Sequence, residues 1–267
     1  MGLLEASEGE IHFENQQLAP NAAQRSDKVR QAMQVVFQNP EATLNPQHRI
    51  GRILGRAISF FGERDRQKRQ QKIASLLKAV KLDASYARRL PKQLSGGEKQ
   101  RIAIARAFAG DPKLIVCDEA VSALDVSVQA AVLNLLVDLK QASQCAYLFI
   151  SHDLAVVRYI SDRVGVMYLG QVMEMGSAEQ IFNAPSHPYT EALLSAVQNP
   201  DEESHDAIRL EGSVPSPLNP PKGCPFHNRC PRKLGEICEH TPPPWRKAAE
   251  GHGIYCHISI EALKQVS

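Results

Sequence analysis

A serine followed by two glycines, Ser95-Gly96-Gly97, and a pair of adjacent acids, Asp118-Glu119, are the residues whose types and spacing best fit chemistry. The glycines open what reads as a helix, within the run Leu94-Ser95-Gly96-Gly97-Glu98-Lys99-Gln100-Arg101. Such a turn offers backbone N–H groups and the positive end of a helix dipole to an anion, usually a phosphate. On its own it is only a capping turn. Asp111-Pro112 then breaks the helix, and Leu114-Ile115-Val116-Cys117 forms a short apolar run that ends in the two acids. Carboxylates at the end of a buried strand are costly unless they bind a cation or do acid–base work.

In this order the two motifs resemble the signature and Walker B strand of the ATP-binding cassette (ABC) ATPases. Three further stretches fit the same family. Ser122-Ala123-Leu124-Asp125 resembles the D-loop, Ser151-His152-Asp153 the switch-histidine loop after a β-prone Ala146–Ile150, and Gln38-Asn39-Pro40 the Q-loop after Val35-Val36-Phe37. The resemblance implies roles. Asp118 enters the Mg²⁺ shell, and Glu119 is general base or water-orienting group. His152 holds the γ-phosphate or the attacking water, Gln38 contacts Mg²⁺ or water, and Asp125 organises a dimer seam. In head-to-tail dimers of this family, Ser95, Gly96 and Gly97 complete the ATP site of the opposite cassette.

One element of the pattern does not occur. A P-loop needs G-x-x-x-x-G-K-[ST], glycines to wrap phosphate, Lys for charge and a hydroxyl for Mg²⁺. None of the sixteen glycines is followed by lysine. The opening Met1-Gly2-Leu3-Leu4-Glu5 resembles the stretch after the family's Walker A helix. The expectation is a cassette that begins late, through an internal start, a split gene, the second half of a fusion or a fragmentary gene model. By itself such a chain is expected to be inactive, or to complete only a partner's site.

The elements that position these groups read as α/β. Ile50 to Ala79 is helical in pattern, Val128, Val132, Leu135, Leu136 and Leu139 form one apolar stripe, and Gly170 separates two β-prone runs as in a hairpin. Strands alternating with helices indicate a largely parallel sheet. The expected class is a P-loop NTPase (ABC ATPase) fold, N-terminally incomplete, with an inserted helical subdomain and a Cys/Pro-rich C-terminal extension. Residues 1–44 are expected to hold a remnant of the nucleotide-binding lobe with the Q-loop, and 45–101 the helical subdomain ending in the signature. Residues 102–185 are then the RecA-like lobe, and 186–267 an importer extension.

At 267 residues with 43% hydrophobic content the chain can bury a real core. Net charge of +2, from 31 basic and 29 acidic residues taken as spread along the chain, gives no bulk argument for nucleic acid. The run Glu63–Lys72 reads as a solvated helix start rather than a surface for an acidic partner or lipid. No apolar run is long enough to span a bilayer, and Met1–Gln17 does not read as a secretory leader, so a soluble intracellular chain is expected.

Beyond Ser213 the composition shifts. Nine of seventeen prolines lie from Pro215 to Pro244 and four of six cysteines from Cys224 to Cys256. The segment is expected to have too little apolar content for its own core, with a cross-link or metal supplying the missing stability. His187-Pro188-Tyr189-Thr190, Ala192-Leu193-Leu194 and the Val214–Pro221 stretch resemble the ATPase subunits of bacterial dipeptide and oligopeptide importers, with nickel and glutathione importers close by. That implies a peripheral subunit on the cytoplasmic face of the bacterial inner membrane. Its partners are a second ATPase subunit, two transmembrane permease subunits and, indirectly, an extracytoplasmic solute-binding protein. Cys224, Cys230, Cys238 and Cys256 have the pattern C-x₅-C-x₇-C-x₁₇-C, without the C-x₂-C of zinc fingers. Their likeness to a four-cysteine importer tail implies a [4Fe–4S] cluster. Zinc, with His227, His240 or His257 as further ligands, and free thiols are the alternatives. Cys117 and Cys145 read as core residues.

Overall fold

Capping explains where the first helices start. In the computed structural model, which describes residues 1–183, 187–196 and 207–264, Ser26 caps helix α1 (Asp27–Ala32) by accepting the Val29 N–H at 3.3 Å. A short hairpin, β1 (His12–Phe13) with β2 (Gln16–Gln17), precedes it, and β3 (Met33–Val36) follows directly. The expected helical stretch divides into α2 (Ile50–Phe60) and α3 (Arg66–Ala79), with Asp65 capping the second through the Lys68 N–H at 2.7 Å. After α4 (Gly96–Ala107), Asp111 takes a left-handed φ of 52° beside Pro112, and β4 (Leu114–Asp118) begins. Helix α5 (Val126–Ser143) and strand β5 (Ala146–Ile150) complete a first compact unit, Met1–Asp153.

In this unit the sheet has the order β3-β4-β5 and is parallel throughout. One face packs on helices. Ile115 and Cys117 are fully buried, and α5 contributes Val132, Leu135 and Leu136 from the expected apolar stripe. The opposite face carries the row Val35, Val116 and Leu148. Leu148 is 55% exposed and Ile150, two residues on, is 46% exposed.

The second compact unit, Leu154–Ser267, opens with α6 (Leu154–Ile160) and the expected hairpin, β6 (Arg163–Tyr168) and β7 (Gln171–Ser177). Leu169 and Gly170 both have positive φ, 47° and 79°, as a two-residue turn matched to strand twist requires. Next come α7 (Ala178–Asn183), α8 (Pro188–Ser195), α9 (Glu236–His240), β8 (Trp245–Ala249), β9 (His252–Tyr255) and α10 (Ile260–Lys264). The sheet order is β6-β7-β9-β8, antiparallel. Part of the stretch assigned to the importer extension, 186, 197–206 and 265–267, lies outside the described residues, as do 184 and 185 of the RecA-like lobe.

This sheet corrects the expectation that the cysteine-rich segment lacks a core. Phe226 is fully buried in a cluster with Tyr168, Met173, Cys224 and Cys238. Its ring centroid lies 5.4 Å from Tyr168 and 5.1 Å from Tyr189, in the tilted and edge-on arrangements aromatic pairs prefer. Ile254, Cys256, Ile258 and Leu263 form a second cluster. Local apolar content was the wrong measure, because the partners come from a hairpin some fifty residues upstream. Glu174 on β7 is also buried, held by His252 Nε2 2.7 Å from its Oε1 and by the His187 N–H at 3.1 Å.

Candidate nucleotide site

Strand β4 runs to Asp118 and the chain then turns sharply. Glu119 takes a left-handed φ of 46°, a conformation a non-glycine residue adopts at a cost of about 1–3 kcal/mol. The turn is fixed from both sides. The Glu119 N–H donates to Ile150 O at 3.0 Å, and Ser122 Oγ donates back to Glu119 O at 3.0 Å. With the backbone so held, the carboxylate is shared. Gln38 Nε2 donates to Glu119 Oε2 at 2.9 Å and lies 3.2 Å from Ser122 Oγ, while His152 Nδ1 stands 3.1 Å from Glu119 Oε1. Three residues separated by 81 and 33 positions thus meet at the carboxyl ends of three parallel strands. The His152 side chain is 72% exposed and that of Glu119 32%, so the group opens to solvent. Asp118 is exposed at the strand end and makes no ion pair among the described residues, which leaves its oxygens for a hard cation.

A second group forms around the start of α4. Ser95 Oγ accepts the Glu98 N–H at 3.3 Å while Glu98 Oε2 accepts the Ser95 N–H at 2.7 Å, a reciprocal capping box. Tyr86 Oη donates to the other Glu98 oxygen at 2.5 Å, and Arg89 lies 3.7 Å from the Tyr86 ring centroid. The Tyr86 hydroxyl, then the Ser95 N–H, hold the Glu98 carboxyl below its usual range. Gly97 is required by packing, since a Cβ there would lie 2.3 Å from Val128 Cγ1 at the start of α5. Asp125 caps α5 by accepting the Val128 N–H at 3.0 Å and the Ser127 hydroxyl at 2.8 Å, and these bonds lower its pKa. Ser95, Gly96, Gly97 and Asp125 therefore belong to one pair of adjoining helix starts, and Gln38, Glu119 and His152 to one polar triangle.

Two positioning residues escape a reading of the motifs alone. Gln100 is buried on α4, and its Nε2 donates to Ala120 O at 2.7 Å and lies 3.4 Å from Phe37 O, while its Oε1 has no partner. It joins α4 to the residues flanking both Gln38 and Glu119. A polar residue on the buried side of a helix was the available signal. Tyr86 gave none, because its partner lies across a loop.

In the second unit, Cys224, Cys230, Cys238 and Cys256 gather. Burial first, then the nearby Cys256, Cys224 and Cys238 sulfurs, push the Cys230 thiol up to about 12, and burial pushes Cys224 up to about 11. The Cys224 N–H donates to Cys238 O at 2.8 Å, and none of the four is in a disulfide. Among the described residues, however, no group of three or more His, Cys, Asp or Glu side chains is arranged to hold a metal ion. Cys117, raised to about 12 by burial, and Cys145, raised to about 11, are buried thiols as expected.

The chain is similar to known proteins. Residues 1–122 match the ABC transporter family, and residues 173–238 match the oligopeptide/dipeptide transporter C-terminal region. The chain is 45% identical to the oligopeptide transport ATP-binding protein AppF of Bacillus subtilis, over 96% of this chain and 79% of that protein. It is 47% identical to the dipeptide transport ATP-binding protein DppF of Escherichia coli, over 88% and 70%. With OppF of Haemophilus influenzae, an oligopeptide transport ATP-binding protein, identity is 44% over 96% and 78%. Among solved structures, cbiO1 of Clostridium perfringens, part of the ABC transporter complex cbiONQ, superposes with a TM-score of 0.62 at 24% identity, covering 68% of this chain and 71% of that one. That likeness bears on the fold alone. The chain belongs to the ABC transporter ATP-binding proteins of the oligopeptide/dipeptide type.

Proposed function

We propose that this chain is the ATP-binding subunit that couples ATP hydrolysis to import of peptides through a membrane ABC transporter. The observation that carries the reading is the Gln38–Glu119–His152 triangle at the carboxyl end of the sheet, in a chain 44–47% identical to peptide-transport ATP-binding proteins. Asp118 would hold Mg²⁺, which neutralises charge on the phosphates. Glu119 orients the attacking water and draws off its proton, with Gln38 and His152 fixing the carboxylate and the γ-phosphate side. Ser95, Gly96 and Gly97 present the start of α4 to the ATP of a second ATPase subunit. Permease subunits in the membrane complete the assembly, and the chain sits peripherally on the cytoplasmic face. No helix among the described residues is long and apolar enough to cross a membrane.

The phosphate cradle of the Glu119 site we assign to a segment outside these 267 residues. Two observations support this. No glycine here is followed by lysine, and the sheet face carrying Val35, Val116, Leu148 and Ile150 stands partly open. Parallel sheets are normally covered on both faces, and a strand–P-loop–helix segment would cover this one. We keep residues 1–44, 45–101, 102–185 and 186–267 as functional divisions: Q-loop, helical subdomain with signature, RecA-like lobe and importer extension.

For the cysteines we propose one site holding a [4Fe–4S] cluster, with zinc as the alternative. Four free thiols, of which burial first and then neighbouring sulfurs raise Cys224, Cys230 and Cys256, are a suitable donor set, and the side chains have to close further to ligate. Protein prepared without oxygen should be brown, and Cys230→Ser should bleach it while Cys117→Ser should not. Stoichiometric zinc without iron assigns the site to zinc, and colourless metal-free protein removes it.

The import reading is tested by peptide uptake in cells that carry the chain with its partners. Glu119→Gln should abolish uptake at unchanged protein level. Undiminished uptake in that variant overturns the assignment.

A further inference from the structure

Helix α4 buries Ile102, Ala103, Ile104, Ala105 and Ala107, and with them one amide, Gln100, which is 1% exposed. Packing alone would be met by an apolar side chain of the same length. The amide does what an apolar chain cannot. Its Nε2 carries two hydrogens, and it donates to two backbone carbonyls, strongly to Ala120 O at 2.7 Å and weakly to Phe37 O at 3.4 Å. Two acceptors on one side also settle which end of the amide is the nitrogen. Its Oε1 has no partner among the described residues. A buried acceptor without a donor is costly, so this amide, satisfied at one end and bare at the other, adds little to stability.

The two carbonyls flank the polar triangle. Ala120 follows Glu119, whose backbone is held left-handed, and Phe37 precedes Gln38. The bonds from the Glu119 N–H to Ile150 O and from Ser122 Oγ to Glu119 O anchor this turn to β5 and to itself, and Gln100 anchors it to α4. The residue before Gln100, Lys99, sets its Nζ 2.5 Å from Glu41 Oε1. Residues on both sides of Gln38 are therefore bonded to α4, while the Gln38 side chain crosses to Glu119 Oε2 at 2.9 Å. The separation of Gln38 and Glu119 is set in this way from a third element, through one buried amide.

We propose that Gln100 is a positioning residue for ATP hydrolysis. It touches no reacting atom, and it fixes the Glu119 carboxylate by holding the backbone at both ends of the Gln38–Glu119 bond. The inference rests on the proposed function for the identity of the reaction. Gln100→Met keeps the length and the packing and removes both donors. It exchanges one unpaired acceptor, Oε1, for another, Ala120 O, so the midpoint of thermal unfolding should move by about 3 °C or less. ATP turnover is measured on the transporter purified with the chain and its partners. Gln100→Met should lower kcat by about tenfold or more at an unchanged KM for ATP, because a misplaced carboxylate acts on the chemical step and not on nucleotide binding. Leu77→Ala, at a fully buried position of α3, should lower the midpoint further and leave kcat unchanged. A Gln100 that served packing alone would not lose turnover while keeping stability. Full kcat in Gln100→Met, a raised KM with kcat unchanged, or an equal loss of kcat in Leu77→Ala overturns the inference. Full turnover in Gln100→Met beside none in Glu119→Gln does so and leaves the import reading standing. Hydrogen exchange of the chain alone reads the same hold without turnover. Gln100→Met should speed exchange of the Glu119 and Ser122 N–H groups, both bonded in this turn, by about fivefold, the worth of one hydrogen bond. Turnover that survives Glu119→Gln counts against the import reading, and unchanged exchange at Glu119 and Ser122 overturns this one.

Discussion

The turn at Ser95 and the turn at Glu119 are built in opposite ways. At Ser95 the partners are close in sequence. The capping box closes over three residues, Tyr86 reaches Glu98 from twelve residues away, and Gly97 lets two helix starts meet. The Ser95 hydroxyl, the Ser95 N–H and the Glu98 carboxylate are engaged before any ligand arrives. At Glu119 the partners come from 81 and 33 residues away, the backbone is left-handed, and the side chains open to solvent. The first turn is a finished part, as its proposed role in the ATP site of a second subunit requires. The second is a set of polar groups held in readiness, whose geometry depends on three strands keeping register.

The largest effect expected of this difference concerns turnover. The chain alone should show no Mg²⁺-dependent ATP hydrolysis that Glu119→Gln removes. Joined to a P-loop segment it should turn over, and Glu119→Gln should then lower kcat by roughly a hundredfold or more. Glu119-dependent turnover by the unjoined chain would show that the second turn is as complete as the first.

A smaller effect tests the rigidity of the first turn. Gly97→Ala places a methyl group against Val128 Cγ1 and should destabilise the first unit by about 1–3 kcal/mol. Val128→Ala in the same chain should recover most of that loss. Thermal unfolding of the single and double variants measures both, and an unchanged midpoint for Gly97→Ala refutes the close approach.

The smallest concerns pH. Glu98 has its pKa lowered on folding, so its contribution is present above the unfolded carboxyl value near 4.5 and is lost as pH falls through the folded value. Tyr86→Phe removes the principal cause, the Tyr86 hydroxyl bond, and should lower stability modestly at neutral pH and make the acid limb shallower, so that the two proteins converge below the folded pKa of Glu98. Identical acid limbs for the two proteins would mean that Tyr86 does not hold Glu98.

Local signals were legible. Ser95 before two glycines marked the start of α4, the stripe from Val128 to Leu139 marked α5, and Gly170 separated the two β-prone runs of a hairpin. Each depends on a residue and its neighbours within a turn or two, which is the range over which caps and periodicity act. The tail was misread for the complementary reason. The segment was read as too poor in apolar residues for a core, yet Tyr168, Met173 and Tyr189 close around Phe226, and β9 takes its place beside β7.

By itself the sequence determined the order of chemical groups: an amide after one strand, two acids after the next, a histidine after the third, and a serine–glycine turn between. Tertiary structure alone decided that Gln38 and His152 share the Glu119 carboxylate and that Gln100 ties α4 to the residues beside Gln38 and Glu119. A hydrogen bond needs its partners within about 3 Å, and over tens of residues only the packed and registered chain sets such a distance.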